Sequence, residues 1–195
     1  GRGLTVQAPP DQSLLDFLRS TSGLKATRLG CGLGQCGACK VLLGERAEHV
    51  GSANTLVRTE RGWRADNTDV DGVAGALGHV RNLRRAIVLG SGGTAPAAVV
   101  ALADLGVTAI TVVARNPDKA ARLLDLAARV GVAGDFVELG SPELTAVVEQ
   151  ADVLVSTVPA EVAAEHAATF AAVPVLLDAI YDPWPTPLAA AVAGA

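Results

Sequence analysis

The residues with the clearest chemical potential are the small ones of one short turn. Gly90, Gly92 and Ala95 form the spacing G-x-G-x-x-A between the apolar run 86–89 and the helix-forming run 96–105. The first glycine permits a tight turn, the second lets the backbone approach a pyrophosphate, and the small third residue lets helix and strand pack closely. The positive end of the helix attracts phosphates. We therefore predict a dinucleotide site rather than an ordinary glycine turn. The predicted cofactor contacts of this loop are Gly90, Ser91, Gly92, Gly93, Thr94 and Ala95.

Two cations follow the second strand of the same unit. Sites for NAD usually carry an acidic residue about 20 residues beyond the glycine loop, where it holds the ribose hydroxyls. Arg115 and Lys119 stand at that corner instead, and both can pair with a 2′-phosphate, so the sequence favours NADP over NAD. Asn116 is predicted to cap the next helix and Pro117 to take its first position. The alternative is that the two cations are ordinary solvated charges at a helix start.

Three cysteines form a second candidate site. Cys31, Cys36 and Cys39 have the plant-type [2Fe–2S] spacing C-x4-C-x2-C, but such a cluster needs four thiolates and the chain has 3 cysteines. His49 or Ser52 stands where a fourth ligand is expected. The alternatives are an empty cluster motif, a weak cluster with a non-cysteine fourth ligand, and a zinc site that adds His49 to the cysteines. Unpaired thiols indicate a reducing compartment, so we expect a cytoplasmic protein.

The elements that must position these residues follow from the pattern of apolar runs. Over residues 85–195, runs of strand length alternate with helix-forming segments, which predicts an α/β fold with a Rossmann-type doubly wound parallel sheet. Upstream we predict a strand at 41–43, a hairpin of 52–57 with 62–65, and a helix over 71–85. The predicted strands of the sheet are 86–89, 108–113, 135–139, 152–158 and 173–181. The predicted helices around it are 96–105, 117–130, 142–150, 161–170 and 186–193.

Composition narrows the class of partner. Half of the residues are hydrophobic, 3% are aromatic, and the formal net charge is −4. An acidic chain without a long basic run does not indicate nucleic acid or a membrane surface as its partner. No apolar stretch reaches the length of a transmembrane helix. We therefore expect a small-molecule substrate, no nucleic acid and no membrane. Because the chain has no methionine and starts at Gly1, we also expect it to be a fragment.

Four segments of residues 51–195 carry a specific pattern. They are Gly51-Ser52-Ala53-Asn54-Thr55-Leu56-Val57, Asp66-Asn67-Thr68-Asp69 with Gly72, Val88 to Ala95, and Asp178-Ala179-Ile180-Tyr181-Asp182-Pro183 with Thr186-Pro187-Leu188. In this order and spacing they resemble shikimate 5-dehydrogenase. The resemblance implies NADP-dependent reduction of 3-dehydroshikimate to shikimate in aromatic biosynthesis. It also implies a Rossmann domain joined to a separate substrate domain.

The same resemblance assigns roles to individual residues. Asp69 matches the acid of the family's catalytic Lys-Asp pair, although by residue type alone it is a turn or helix-cap aspartate. The family's Ser-x-Ser motif and catalytic lysine belong to an N-terminal substrate domain and do not occur here, and Lys25 and Lys40 stand in no matching motif. The implied substrate contacts are Asn54, Thr68, Asp69 and Tyr181. The implied cofactor contacts outside the glycine loop are Arg115, Asn116, Lys119, Thr157 and Ala179.

Residues 1–45 carry a different pattern. The segments 13–19, Ser-Leu-Leu-Asp-Phe-Leu-Arg, and 30–41, which holds the cysteines, resemble the plant-type [2Fe–2S] module of the molybdenum hydroxylases, as in the xanthine dehydrogenase and aldehyde oxidase small subunit. We therefore predict a partial β-grasp ferredoxin-like fragment at 1–45, a remnant of a substrate domain with a connecting helix at 46–84, and an NADP-binding Rossmann domain at 85–195.

The abrupt change of character near residues 45–50 resembles a join of two unrelated genes. The main hypothesis is accordingly an NADP-dependent oxidoreductase similar to shikimate dehydrogenase, incomplete as it stands. One alternative is a [2Fe–2S] electron-transfer protein or a fusion fragment of a molybdenum hydroxylase. Another is an NADP-binding module without catalysis.

Overall fold

The computed structural model describes residues 41–60 and 62–194, together with Ser20. The chain forms two compact units, one made of Gly1–Leu42 and Val57–Arg64 and the other of Leu43–Leu56 and Ala65–Ala195. The cysteines, and most of the predicted ferredoxin-like fragment, lie outside the residues that the structure describes. The predicted domain boundaries at residues 45 and 84 stay predictions. Every helix named below, and the parallel sheet, belongs to the second unit.

Short elements precede the parallel sheet. The strands are β1 (Val41–Leu43), β2 (Thr55–Thr59) and β3 (Gly62–Asp66), in the order β1-β3-β2, and the helices are α1 (Glu45–Val50) and α2 (Asp69–Leu77). The strand at 41–43 has its predicted bounds and β3 extends one residue beyond the predicted 62–65, whereas β2 starts three residues later than the predicted 52–57 and ends at Thr59. Helix α1 was not predicted, because it spans fewer than two turns of a segment that reads as polar, yet it buries Ala47 and Val50.

The second of these helices differs from its predicted bounds of 71–85. Helix α2 begins two residues earlier, at Asp69, and ends at Leu77. An irregular segment, residues 78–84, follows and leads to the strand that begins at Arg85, where the backbone N–H groups of Arg84 and Arg85 both donate to Asp152 Oδ2, at 2.7 and 2.8 Å. The helical spacing of apolar residues in the sequence therefore continues beyond the last residue of the helix itself.

A five-stranded parallel sheet forms the centre of the second unit. Its strands lie in the order β6-β5-β4-β7-β8, and neighbouring strands run parallel throughout. This order, with the first strand in the middle, matches five of the six strands in the 3-2-1-4-5-6 order of a Rossmann fold, so the predicted fold class is confirmed. The strands are β4 (Arg85–Leu89), β5 (Ala109–Ala114), β6 (Ala133–Glu138), β7 (Val153–Ser156) and β8 (Leu176–Asp178).

Helices cover both faces of this sheet. Val88, Val112 and Val155 point to one face, where they pack with α1, α2 and the next two helices, and Ile87 and Leu154 point to the other face, where the last four helices pack. The predicted helix 161–170 is divided into two, and the predicted strand 173–181 shrinks to three residues. The helices that follow β4 are α3 (Ala95–Asp104), α4 (Pro117–Arg129), α5 (Leu144–Val148), α6 (Ala160–Ala164), α7 (Ala167–Phe170) and α8 (Pro187–Ala193).

Helix α3 is buried on all sides. Ala95 and residues 97–102 each expose no more than 3% of their surface, and all of them belong to one apolar cluster. Small side chains make this burial feasible, because Ala and Val allow the helix to approach both the sheet and the helices beside it. The residue that opens α3 is thus fixed in place by the core.

Candidate functional site

A cavity of about 230 Å³ opens at the carboxyl ends of β4, β5 and β7. Ligands of doubly wound sheets bind at this edge, where neighbouring strand ends diverge. We call it the cofactor cavity. Its lining residues are Gly90, Ser91, Gly92, Val113, Ala114, Arg115, Asn116, Lys119, Leu139, Thr157, Val158, Pro159 and Val162.

The glycine loop that follows β4 has one position that only glycine tolerates. Gly90 has φ of +105°, and a Cβ built there would lie 2.7 Å from both Thr157 Oγ1 and Val158 Cγ1. A Cβ on Gly92 or Gly93 would meet nothing within 4 Å. Gly90 is therefore required by the fold, whereas the space beside Gly92 and Gly93 is open to a ligand.

The backbone of this loop offers hydrogen-bond donors. In the described part of the chain, the N–H groups of residues 91–94 make no hydrogen bond to another backbone group, and Ala95 N donates to Gly92 O at 3.2 Å. Pro96 supplies no N–H to the first turn of α3, so the loop itself must provide the donors. Consecutive free N–H groups at a helix start form an anion-binding concavity. The residues present therefore fit a pyrophosphate.

The two predicted cations for the 2′-phosphate lie at the start of α4. Arg115 and Lys119 are exposed and line the cofactor cavity. As predicted, Asn116 caps the helix, since its Oδ1 accepts from Lys119 N at 2.9 Å, and Pro117 is the first helical residue. The cap fixes the turn from which both cations project, so a phosphate group in the cavity has two side chains available to it.

The other predicted cofactor contacts divide into two groups. Thr157 lines the cavity and donates from Oγ1 to Leu89 O at 2.9 Å, which ties the end of β7 to that of β4. Ala179 extends β8, with its N–H donating to Ser156 O at 2.9 Å, and does not line the cavity. Gly93, Thr94 and Ala95 also lie outside the lining. The apolar lining residues were missed, and the only signal for them is their position at strand ends.

A polar group of side chains lies apart from that lining and is called here the Asn54 cluster: Asn54, Thr55, Thr68 and Asp69. Asn54 Nδ2 donates to Asp69 Oδ1 at 2.8 Å, while Asn54 Oδ1 accepts from the backbone N–H of Thr68 at 3.0 Å. Three residues predicted to contact substrate, Asn54, Thr68 and Asp69, are thus brought together across 15 residues of chain. All three are exposed, so their side chains are accessible to a small polar ligand.

Two residues that sequence reasoning missed hold the Asp66–Asp69 segment. Asn67 is 2% exposed, and its amide donates from Nδ2 to Ser52 O at 3.2 Å while its Oδ1 accepts from Asp69 N at 3.1 Å. Arg46 on α1 pairs with Asp71 and lies 3.9 Å from Asp66. These contacts fix both sides of the segment. For Asn67, the available signal in the sequence was its position inside the polar motif 66–69.

Tyr181 is not joined to the Asn54 cluster by any hydrogen bond or cavity of the described residues. It is 77% exposed in the loop that leads from β8 to α8. Asp178 closes the base of this loop, since its carboxylate accepts from Thr186 Oγ1 at 2.7 Å and from Ile180 N at 3.2 Å. These bonds turn the chain away from the sheet after Asp178 and explain why the carboxyl end of β8 falls short of the predicted residue 181. A substrate contact from Tyr181 stays a prediction.

The predicted cluster ligands Cys31, Cys36 and Cys39 lie outside the described residues. Within residues 41–60 and 62–194, no group of three or more His, Cys, Asp or Glu side chains could hold a metal ion. No helix in that same part of the chain is long and apolar enough to cross a membrane.

Two family models match the chain. The model described as Shikimate / quinate 5-dehydrogenase matches residues 75–174, and the model described as 2Fe-2S iron-sulfur cluster binding domain matches residues 1–65. Among curated proteins, the chain is 41% identical over 87 residues to a shikimate dehydrogenase (NADP(+)) of Xanthomonas euvesicatoria. The match covers 43% of this chain and 31% of that protein.

Solved structures show a more extensive likeness. The shikimate dehydrogenase of Mycobacterium tuberculosis is 70% identical with a TM-score of 0.75, and the shikimate 5-dehydrogenase of Mycobacterium fortuitum is 60% identical with a TM-score of 0.75. Each comparison covers 78% of this chain and 57% of the solved chain. The chain therefore spans less than two thirds of the length of these relatives.

Proposed function

Because the chain belongs to the shikimate / quinate 5-dehydrogenase family, we propose that it supplies the cofactor half of an NADP-dependent oxidoreductase that interconverts 3-dehydroshikimate and shikimate. The observation that carries this proposal is the cofactor cavity, in which a glycine loop with free N–H groups faces two cations. The Asn54 cluster, which belongs to the same compact unit, supports the choice of a hydroxylated substrate.

The residues of the cavity divide the work of binding between them. The N–H groups of Ser91 and Gly92, which line the cavity, would hold the pyrophosphate, and Arg115 and Lys119 would pair with the 2′-phosphate. When bound, the dinucleotide supplies or accepts the hydride. Thr157 holds the ends of β4 and β7 together, because its hydroxyl donates a hydrogen bond to Leu89 O. These two strand ends border the cavity, so the bond keeps that part of the cavity in place.

The Asn54 cluster would hold the hydroxylated ring. Asp69 can accept a hydrogen bond from a substrate hydroxyl at the oxygen that Asn54 leaves unused, since Asn54 Nδ2 occupies only Oδ1. Reduction of a ketone leaves an alkoxide, which must receive a proton from a nearby acid. In the family that acid is a lysine paired with the matching aspartate, and no lysine of this chain stands in the family's motif. We infer that binding is retained and proton transfer is slow.

Ligand titrations separate the candidate functions. We expect NADPH to bind in a saturable manner, 2′,5′-ADP to compete with it, and 5′-AMP to compete far more weakly, because only the first competitor carries the 2′-phosphate. Shikimate should then bind to the chain saturated with NADP⁺. If the chain binds NADPH but does not bind shikimate, it is a cofactor-binding module without a substrate site. If it does not bind NADPH, the proposal is overturned.

The cysteine segment raises the iron–sulfur alternative, which the match of residues 1–65 to a 2Fe-2S domain favours. We propose that the chain holds no stable [2Fe–2S] cluster, since the class needs four thiolates and the chain has 3 cysteines. After reconstitution with iron and sulfide, the visible absorption of an oxidised cluster should be absent. Ser52→Cys is the matched variant that restores the count of thiolates. A stoichiometric cluster in the unmodified chain would contradict this proposal.

A further inference from the structure

Three oxygen atoms of the Asn54 cluster form a closed triangle. Thr55 Oγ1 and Thr68 Oγ1 lie 2.9 and 3.1 Å from Asn54 Oδ1, each within hydrogen-bond distance, and the two hydroxyl oxygens lie 3.1 Å apart. Thr55 lies at the start of β2 and Thr68 directly before α2. Sequence reasoning assigned a role to Asn54 and Thr68 and none to Thr55.

The number of protons in this triangle decides what each hydroxyl can do. An amide oxygen only accepts, and each threonine hydroxyl has a single proton to donate. Three oxygen–oxygen contacts therefore share two protons, so one contact always lacks a hydrogen bond. Asn54 Oδ1 also accepts from the backbone N–H of Thr68 at 3.0 Å, and its two lone pairs are filled once one hydroxyl is added.

The geometry favours Thr55 as that second donor. Its contact with Asn54 Oδ1 is the shortest of the three, at 2.9 Å. Once the Thr55 hydroxyl and the backbone N–H of Thr68 occupy both lone pairs of Asn54 Oδ1, no lone pair of that oxygen is left for the Thr68 hydroxyl. Its proton can rest on Thr55 Oγ1 or be donated to a ligand. Thr68 is exposed whereas Thr55 is half-buried, so Thr68 is the hydroxyl that a ligand reaches.

We propose that Thr55 is a positioning residue, which saturates Asn54 Oδ1 and thereby frees the Thr68 hydroxyl to donate to an oxygen of the bound substrate. The inference rests on the proposed function, because it places the hydroxylated ring at the Asn54 cluster. Asn54 itself stays oriented by two bonds that Thr55 does not make, one to Asp69 and one from the Thr68 backbone. Loss of Thr55 therefore redirects the Thr68 proton to Asn54 and leaves the cluster assembled.

A double-mutant cycle with Thr55→Val and Thr68→Val tests this in two measurements. For shikimate binding to the chain saturated with NADP⁺, each single change should weaken binding by about two- to tenfold, the size of one neutral hydrogen bond. The double variant should bind no more weakly than Thr68→Val alone, because Thr55 acts only through Thr68. Thr55→Ser, which keeps the hydroxyl, should bind like the unmodified chain. Effects that multiply in the double variant would overturn the proposal.

The second measurement needs no ligand. Either hydroxyl alone can fill the free lone pair of Asn54 Oδ1, so each single change should lower the melting temperature only slightly. The double variant leaves that lone pair without a protein donor, and its melting temperature should fall by more than the sum of the two. Additive shifts would overturn the positioning role. If the unmodified chain does not bind shikimate while the shifts are more than additive, the proposed substrate fails and the role of Thr55 stands.

Discussion

The cofactor cavity and the Asn54 cluster are built in opposite ways within one compact unit. The cavity is made of backbone at the ends of buried strands, and its central position, Gly90, is enclosed by Thr157 and Val158. The cluster consists of three exposed side chains and the half-buried Thr55, which hydrogen-bond chiefly to one another. The sheet core fixes the first site, whereas the second depends on a few polar bonds.

This difference indicates how strongly each site depends on groups outside it. A site fixed by strand ends and a glycine loop keeps its shape wherever the sheet folds. Exposed hydrogen bonds contribute little each, since water competes for both partners. We therefore expect the cavity to bind its ligand at close to full strength in this chain, and the cluster to need further groups around it for catalysis. The three predictions below test that contrast, from the largest expected effect to the smallest.

The largest effect concerns turnover of shikimate. A fusion in which the family's N-terminal substrate domain replaces residues 1–40, so that α1 and Arg46 are kept, should reduce NADP⁺ with shikimate at least about 10²–10⁴-fold faster than the unmodified chain, because that factor is typical of a positioned acid or base. Positioning of the ring by the added domain should increase the ratio further. The measurement is the rate of NADPH formation for both proteins at matched concentration.

Asp69→Asn in the fusion is the internal control for that experiment. The amide keeps the shape of the side chain and its contact with Asn54 and loses the negative charge, so the rate should fall sharply while NADPH affinity stays unchanged. Equal rates for the unmodified chain and the fusion would show that another residue of this chain transfers the proton.

The two glycines of the loop should respond differently to the same change. Gly90→Ala should lower the free energy of unfolding by about 2–5 kcal/mol, because it combines a strained φ with overpacking against Thr157 and Val158. Gly92→Ala meets open space and should leave stability within about 1 kcal/mol while weakening NADPH binding roughly ten- to hundredfold, since its methyl group blocks the approach to the pyrophosphate. Urea unfolding and NADPH titration measure the two quantities. Similar stabilities for the two variants would contradict the assignment of Gly90 to the fold.

The smallest effect concerns the choice between cofactors. Arg115→Ala should remove most of the preference for NADPH over NADH, by about 1.5–3 kcal/mol, the size of a hydrogen bond to a charged group. Arg122→Ala is the matched control, since Arg122 lies on the same helix, is exposed, and does not line the cavity. Equal affinity of the unmodified chain for NADPH and NADH would refute the role of Arg115.

Local features of these sites could be predicted from the sequence, and long-range ones could not. Gly90 and the Asn116 cap follow from neighbouring residues, because a strand, a turn and a helix start are encoded within a few positions. The contact of Asn54 with Asp69 joins residues 15 apart, and the resemblance to a family, not the spacing, brought them into one hypothesis. Arg46 lies in a helix that the pattern did not reveal, so its pairing with Asp71 had no signal in the sequence.

Helix bounds show the same limit. The periodic apolar residues of α2 continue in the sequence toward Arg85, but Arg85 pairs with Ala109 in the sheet, and the backbone N–H groups of Arg84 and Arg85 donate to Asp152 Oδ2. Those bonds span 68 and 67 residues. A pattern read along the chain gives the type of an element, and tertiary contacts decide where it stops.

The burial of α3 has a consequence for the thermodynamics of binding. A helix that exposes no more than 3% of any residue from 97 to 102 opens to solvent only when the whole unit unfolds, so its amide protons should be among the slowest to exchange. The loop that delivers phosphate donors is thus attached to a buried helix of the described residues. The donors are therefore preorganised, and little conformational entropy is lost when the pyrophosphate arrives.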